Sequence, residues 1–457
     1  MLVLLISTYE LGRQPFGLAS PAAWLREAGV DVTCVDVSRQ RLENEPIAAA
    51  GAVGFYLPMH TATRLAFPLI ERVRRVNPAA RVCAFGLYAP LNEAALREAG
   101  VTAVFGGEFE AALTEWVAAA GSESAAAGPA STGVGPGSVD PASTPRLRFR
   151  VPDRVGLPPL DRYASLQMPD GTRRVAGYTE ASRGCKHLCR HCPVVPVYEG
   201  RFRVVSPEVV IADVRSQVER GARHITFGDP DFFNGIGHAL SVVRAFAREC
   251  PGVSYDVTVK IEHLLKHVAA LPVLAETGCV LVTSAAEAVD DRTLERLAKG
   301  HTRADFERAV QACRRSGLTL TPTFVPFTPW TTLEGYRDLL GAIASLDLVD
   351  HVAPIQLAIR LLVPNGSRLL ELEEVRAVIG TYDPAGLVYP WRHPDPRVDV
   401  LQREVERLVA AGLNADRQAV FADVWRAAHA ALPVAVPEAP PLTARAAVPF
   451  LTEPWYC

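Results

Sequence analysis

The stretch SRGCKHLCRHCPVVP, residues 182–196, places Cys185, Cys189 and Cys192 on one short segment, with His187 and His191 between them. Three thiols this close suggest a zinc knuckle, part of a disulfide staple, or a site needing only three protein ligands. Zinc sites usually pair C-x2-C with a second such pair further along the chain. Here the spacing is C-x3-C-x2-C with no second pair, so His187 or His191 would have to complete the tetrahedron. A disulfide framework fits poorly. The cysteines number 9 in 457 residues, an odd count, and Cys34, Cys83, Cys250, Cys279 and Cys313 stand alone. Those in VTCVDV and RVCAFG read as small core hydrophobes. Three soft thiolates on one loop suit an iron–sulfur cluster with one iron left open, and zinc with a histidine ligand stays as the alternative.

The flanking sequence sets the loop in an α/β frame. From residue 177 strands are expected at GYTEASR, HITFGD, SYDVTVK, CVLVTSAAE, LTLTPTFVP and HVAPIQLAI, with helices at 207–220, 236–249 and 304–316 between them. Six βα units are too few for an eight-stranded closure, so the expectation is a partial (β/α)6 TIM-like barrel with its chemistry at the C-terminal face. Upstream, LVLLIS, DVTCVDV, AVGFYLP, ARVCAFG and VTAVFGG alternate with four amphipathic stretches. That pattern predicts a doubly wound parallel sheet over residues 1–120, with its ligands at the carboxyl ends of the strands. The Gly/Ser/Ala/Pro-rich 121–150 segment reads as a flexible linker, 151–366 as the barrel, and 367–457 as a helical and Pro-rich C-terminal region.

Composition narrows the class further. The chain is 49% hydrophobic and 21% charged, with a formal net charge of −3 and no basic block, so a nucleic-acid partner is not expected. No apolar run approaches the roughly 18 residues that span a bilayer, and MLVLLIS lacks a positive n-region. The expectation is a cytoplasmic protein without a membrane partner. Only Lys186, Lys260, Lys266 and Lys299 supply lysine, all inside the segment that carries the cysteine loop.

The C-x3-C-x2-C spacing directly after a first barrel strand resembles the radical S-adenosylmethionine superfamily over roughly residues 177–365. The resemblance implies a 4Fe–4S cluster on Cys185, Cys189 and Cys192, whose open iron binds S-adenosylmethionine. An electron from a flavodoxin- or ferredoxin-type donor then releases a 5′-deoxyadenosyl radical, chemistry that belongs mostly to the cofactor. Relatives carry a GGE-like turn after the second strand, where FGDPDFF leaves Gly228 and Asp229 near the pattern. They often end the fourth strand in Glu-Ser, and here TSAAEA offers Glu287 followed by Ala. SYDVTVKIEHL places Lys260 and Glu262 within reach of the cofactor, and Arg360 in QLAIRLLVP is a candidate carboxylate binder. Under this reading His187 and His191 are loop residues without a ligand role. KGHT reads as a helix C-cap at Gly300, with Lys299 favourable near the dipole.

Residues 1–120 resemble the cobalamin-binding domain of the cobalamin-dependent members of that superfamily. The resemblance implies corrin contacts from Tyr56, Pro58, His60 and Thr61 on one strand end, Gly86 on the next, and Gly106, Gly107 and Glu108 on the last. STYELGRQ stands where other cobalamin domains carry D-x-H-x-x-G, so no histidine is offered to cobalt there. The implied reaction is methyl transfer to an unactivated carbon or phosphorus centre of a small molecule. The alternatives are a cobalamin-assisted rearrangement and a non-catalytic cluster- or cobalamin-binding sensor. PFLTEPWYC resembles the start of tails ending Cys-Cys-Ala-Glu-Pro or Cys-selenocysteine-Ala-Glu-Pro, a selenoprotein candidate ending at the first cysteine, Cys457.

Overall fold

Hydrophobic runs on both sides of the Gly/Ser-rich stretch form two sheets, one parallel and one mixed, in the computed structural model, which describes residues 1–119, 147–412, 416–432 and 448–452. The linker expectation for 121–146 and the tail ending in Cys457 lie outside the described residues.

The first sheet contains β1 (Leu2–Ser7), β2 (Asp31–Asp36), β3 (Ala52–Tyr56), β4 (Arg81–Phe85) and β5 (Ala103–Phe105). Its order is β2-β1-β3-β4-β5 with every pairing parallel, so all five carboxyl ends share one edge. Helices cover both faces, because strands this uniformly apolar must be buried on both sides. One face packs Leu4, Ile6, Val53 and Phe55 beneath Ala66, Ile70 and Val73. The other packs Leu5, Tyr56, Cys83 and Phe85 against Leu18, Leu25 and Leu113. Cys34 and Cys83 are buried core residues.

The second sheet follows β6 (Ser165–Gln167) and β7 (Arg173–Thr179); a short side ribbon joins β8 (Ser182–Gly184) to β9 (Phe202–Val204). Then come β10 (His224–Phe227), β11 (Ser254–Thr258), β12 (Cys279–Glu287), β13 (Thr319–Phe324) and, far along the chain, β14 (Phe450–Leu451). The order is β13-β12-β11-β10-β7-β6-β14, a half-barrel in which β7 and β10 to β13 run parallel. Its helices include Pro207–Glu219, Ile236–Glu249 and Arg303–Arg315, close to the expected ranges.

Two details differ from the sequence expectation. The strand expected at HVAPIQLAI does not form: the stretch holds a 3-10 turn at Pro354–Leu357, and a single parallel bridge, Phe327 to Arg360, comes just after it. Pro354 has no N–H to give a ladder and favours the turn. The antiparallel β6 and β14 were not anticipated; two or three residues carry too short a pattern to read. Among the described residues no helix is long and apolar enough to cross a membrane.

Candidate functional site

The cysteine segment leaves β7 at the carboxyl edge of the half-barrel and is fastened at four points. Asp229, buried after β10, accepts from Ser182 Oγ at 2.5 Å and from Ala181 N at 3.0 Å. Asn234 accepts from Lys186 N at 3.1 Å and donates to Gly184 O at 3.3 Å. Gly184 has φ 76°, and a Cβ there would lie 2.5 Å from Arg201 O, so only glycine lets β8 turn beside β9. Further on, Arg190 N donates to Leu297 O at 3.0 Å, and its guanidinium to Arg296 O at 2.7 Å. The loop is therefore held from the turn after β10 and from the segment after β12.

The eight cysteines among the described residues are all free. Cys189 is buried, and Cys185 and Cys192 pack with Leu87, Val194, Val197 and Tyr198. Leu87 follows β4, so a strand end of the first sheet packs on the same small cluster as two of the thiols. Burial pushes the Cys185 thiol up to about 11 and the Cys192 thiol to about 12. Such thiols ionise near neutral pH only against a strong local positive charge, which a metal centre supplies.

Charged groups flank the loop on two sides. On one, Lys260 Nζ lies 3.0 Å from His187 Nδ1 and 3.3 Å from Glu262 Oε2. Asp231 Oδ2 approaches His263 Nδ1 at 2.6 Å and His187 Nε2 at 3.4 Å. Burial raises the Asp231 carboxyl, but the two imidazoles outweigh it and hold it at about 2. On the other side Glu287 ends β12 with φ 66°, after a register shift that turns its side chain toward the loop. Its Oε1 lies 3.1 Å from both Lys299 Nζ and His191 Nε2. Burial alone would raise Glu287; Lys299 and His191 hold it far below the carboxylate range instead. His301 is pushed down to about 4 by burial and by Lys299. Gly300 joins the two sides, since a Cβ there would meet Glu262 Oε2 at 2.9 Å.

The candidate residues thus separate. Lys260, Glu262 and Glu287 surround the thiols. Gly228 sits beneath Tyr178, whose hydroxyl would lie 1.8 Å from an added Cβ, and Asp229 anchors the loop. Arg360 reaches Asp399 Oδ1 and Trp391 O, each at 2.8 Å, and lies over the Trp391 ring, tying the C-terminal region to the barrel. Lys299 is a buried ion-pair partner of Glu287, which corrects its reading as a dipole complement. Asp231, His263 and Asn234 were not singled out; an acid two residues past Asp229 and a histidine beside Glu262 were the available signals.

At the first sheet's edge, Tyr56 is buried against Phe85 and Phe109, and its ring faces Gly17 and Gly86. Gly86 and Gly106 are thereby explained by internal packing, against Tyr56 and Pro90. His60 Nε2 lies 2.6 Å from Gly386 O. Pro58, Gly106 and Gly107 are half-buried, and Thr61 is exposed. Glu108 belongs to an internal clamp, in which Arg183 contacts Glu110 at 2.7 Å, Glu180 at 2.7 Å and Glu108 at 3.4 Å. Burial raises Glu108 to about 7 against the pull of Arg183. Arg183 was not recognised from sequence, because its carboxylates are distant along the chain.

Residues 179–340 match the family model described as Radical SAM superfamily, so the chain carries a radical SAM domain. The cobalamin-dependent S-adenosylmethionine radical enzyme OxsB, solved with aqua-cobalamin, superposes with TM-score 0.69 at 13% identity, covering 90% of this chain and 67% of that one. The radical S-adenosylmethionine methyltransferase TsrM from Kitasatospora setae, solved with tryptophan and a SAM analogue, gives TM-score 0.61 at 20% identity, covering 76% of this chain and 71% of that one. Identities this low establish the shared fold. In sequence, a tRNA-2-methylthio-N(6)-dimethylallyladenosine synthase from Jannaschia sp. (strain CCS1) is 26% identical over 212 residues, 43% of each chain. The chain spans less than half the length of the curated relatives it matches.

Proposed function

We propose that this chain is a radical S-adenosylmethionine enzyme that works with cobalamin to methylate an unactivated centre of a small-molecule substrate. The observation that carries this reading is the loop of three free thiols at the carboxyl edge of a half-barrel, packed against Leu87 from the neighbouring sheet's strand end. When bound, the cluster and S-adenosylmethionine supply the 5′-deoxyadenosyl radical, and cobalamin carries the methyl group.

The donor set fits a cluster: Cys185, Cys189 and Cys192 offer soft ligands and, among the described residues, no fourth cysteine joins them. S-adenosylmethionine carries an ammonium and a carboxylate, and the loop is flanked by carboxylates (Glu262, Glu287) and by Lys260. Asp229 and Asn234 hold the loop's backbone in place. For the corrin, Pro58, Thr61, Gly106 and Gly107 are the strand-end residues left accessible; Tyr56, Gly86 and Glu108 support them from within. The formal net charge of −3 favours a small molecule over a nucleic acid, and the electron comes from a flavodoxin- or ferredoxin-type donor.

Anaerobic reconstitution with iron and sulfide tests the assignment. The wild type is expected to take up a 4Fe–4S cluster and about one cobalamin, and Cys185→Ala, Cys189→Ala and Cys192→Ala each to lose the cluster absorbance. A full 4Fe–4S spectrum in any single variant overturns the ligand set. A protein that retains no cobalamin overturns the methyl-transfer reading.

A further inference from the structure

The turn between the helices Asp291–Arg296 and Arg303–Arg315 carries KGHT, residues 299–302, and sends two polar side chains inward. Ala298 and Gly300 both take left-handed backbone, at φ 54° and 72°. A non-glycine residue such as Ala298 keeps that conformation only where its surroundings fix it. Here Lys299 N donates to Leu294 O at 3.0 Å, and Thr302 and Asp305 cap the second helix reciprocally. The turn leaves Lys299 3% and His301 6% exposed. Lys299 is accounted for by Glu287. His301 is accounted for at one nitrogen only. Its Nε2 lies 3.2 Å from Ala286 O, the carbonyl that precedes Glu287, and its Nδ1 is a buried atom without a hydrogen-bond partner.

A carbonyl only accepts, so Nε2 carries the hydrogen in the contact with Ala286. Burial and then Lys299 push the ring down to about 4, which leaves it uncharged at neutral pH with a lone pair on Nδ1. A buried acceptor without a donor is rare in a folded chain. The ammonium groups whose charge the ring feels are engaged elsewhere, Lys299 with Glu287 and Lys260 with His187 and Glu262. The end of Lys260 also covers the turn, its Nζ 3.5 Å from where a Cβ on Gly300 would stand, and a flexible four-carbon stem can swing aside. We propose that His301 Nδ1 accepts a hydrogen bond from the adenosyl group of S-adenosylmethionine, given by the adenine amino group or a ribose hydroxyl. The proposal rests on the reading of the cysteine loop as an S-adenosylmethionine site. In that reading the amino and carboxylate groups go to the open iron, and the adenosyl end keeps the donors that suit a neutral acceptor. An ammonium is better matched by the carboxylates of Glu262 and Glu287.

The test is equilibrium dialysis of S-adenosylmethionine against the full chain with its reconstituted cluster kept oxidised, so that binding is read without cleavage. His301→Gln keeps an amide N–H for Ala286 O and removes the Nδ1 acceptor, and it is expected to raise Kd about tenfold. His301→Asn, whose Oδ1 stands close to the place of Nδ1, is expected to stay within about threefold of the wild type. Two kinds of analogue assign the donor: S-inosylmethionine, with a carbonyl in place of the adenine amino group, and the 2′- and 3′-deoxy forms. The analogue that lacks the donor should lose about tenfold on the wild type and no more than about twofold on His301→Gln. Circular dichroism melts establish that each variant is folded; if His301→Gln is not, His301→Ala takes its place. Equal Kd values for the wild type and His301→Gln overturn the proposal, as do analogue losses that are all the same in both. A wild type that holds its cluster and binds no S-adenosylmethionine overturns the proposal together with the reading it rests on. A wild type that binds it, with His301→Gln unchanged, overturns the proposal alone.

Discussion

Ser182 Oγ donates to Asp229 Oδ1 at 2.5 Å, joining the turn after β10 to the start of the cysteine loop. The carboxyl is fully enclosed, and burial raises it to about 7 despite this bond and that from Ala181 N. Folding therefore takes up a proton there between an unfolded value near 4 and about 7. The stabilisation is fully present below about pH 4 and is lost as pH rises through 7, at up to ~1.4 kcal/mol per pH unit. Thermal denaturation from pH 5 to 7.5 should show a falling Tm, and Asp229→Asn should flatten that slope. An equally steep slope in the variant would remove Asp229 as its source.

Arg183 is the cation among Glu108, Glu110 and Glu180, and it also lies over the rings of Phe16, Phe109 and Phe149. Arg183→Ala would leave three enclosed carboxylates without their counter-charge, an effect on the order of 3–5 kcal/mol. Denaturant unfolding checks it. A loss under about 1 kcal/mol would mean that the seam between the two sheets does not depend on this clamp.

Glu287 and Lys299 are both buried and bonded to each other, so a double-mutant cycle should be strongly non-additive. Glu287→Gln and Lys299→Met are each expected to cost roughly 3 kcal/mol or more by stranding the partner, and the double variant less than their sum. Additive losses would mean the pair is not coupled.

Much of this architecture was legible in the chain because uniform apolar runs such as LVLLIS and AVGFYLP admit few readings other than buried parallel strands. The cysteine loop was legible because its three cysteines are local. What escaped was non-local. Arg183 takes its meaning from Glu108 and Glu110, which the fold brings from the other sheet, and Asp231 from His187 on the cysteine loop and His263 on the helix Ile261–Lys266. Tyr56 and Gly86 lie at strand ends as expected, yet Tyr56 turns into the core because Gly17 and Gly86 leave room for its ring. Position along a strand does not tell which way a large side chain leaves it.

The central claim is that the loop of Cys185, Cys189 and Cys192 cleaves S-adenosylmethionine reductively. The most direct measurement is release of 5′-deoxyadenosine from anaerobically reconstituted, reduced protein given S-adenosylmethionine and followed by chromatography. The account predicts time-dependent 5′-deoxyadenosine from the wild type and none from Cys189→Ala. A protein that holds a 4Fe–4S cluster and binds S-adenosylmethionine, yet forms no 5′-deoxyadenosine over many hours of reduction, would contradict it.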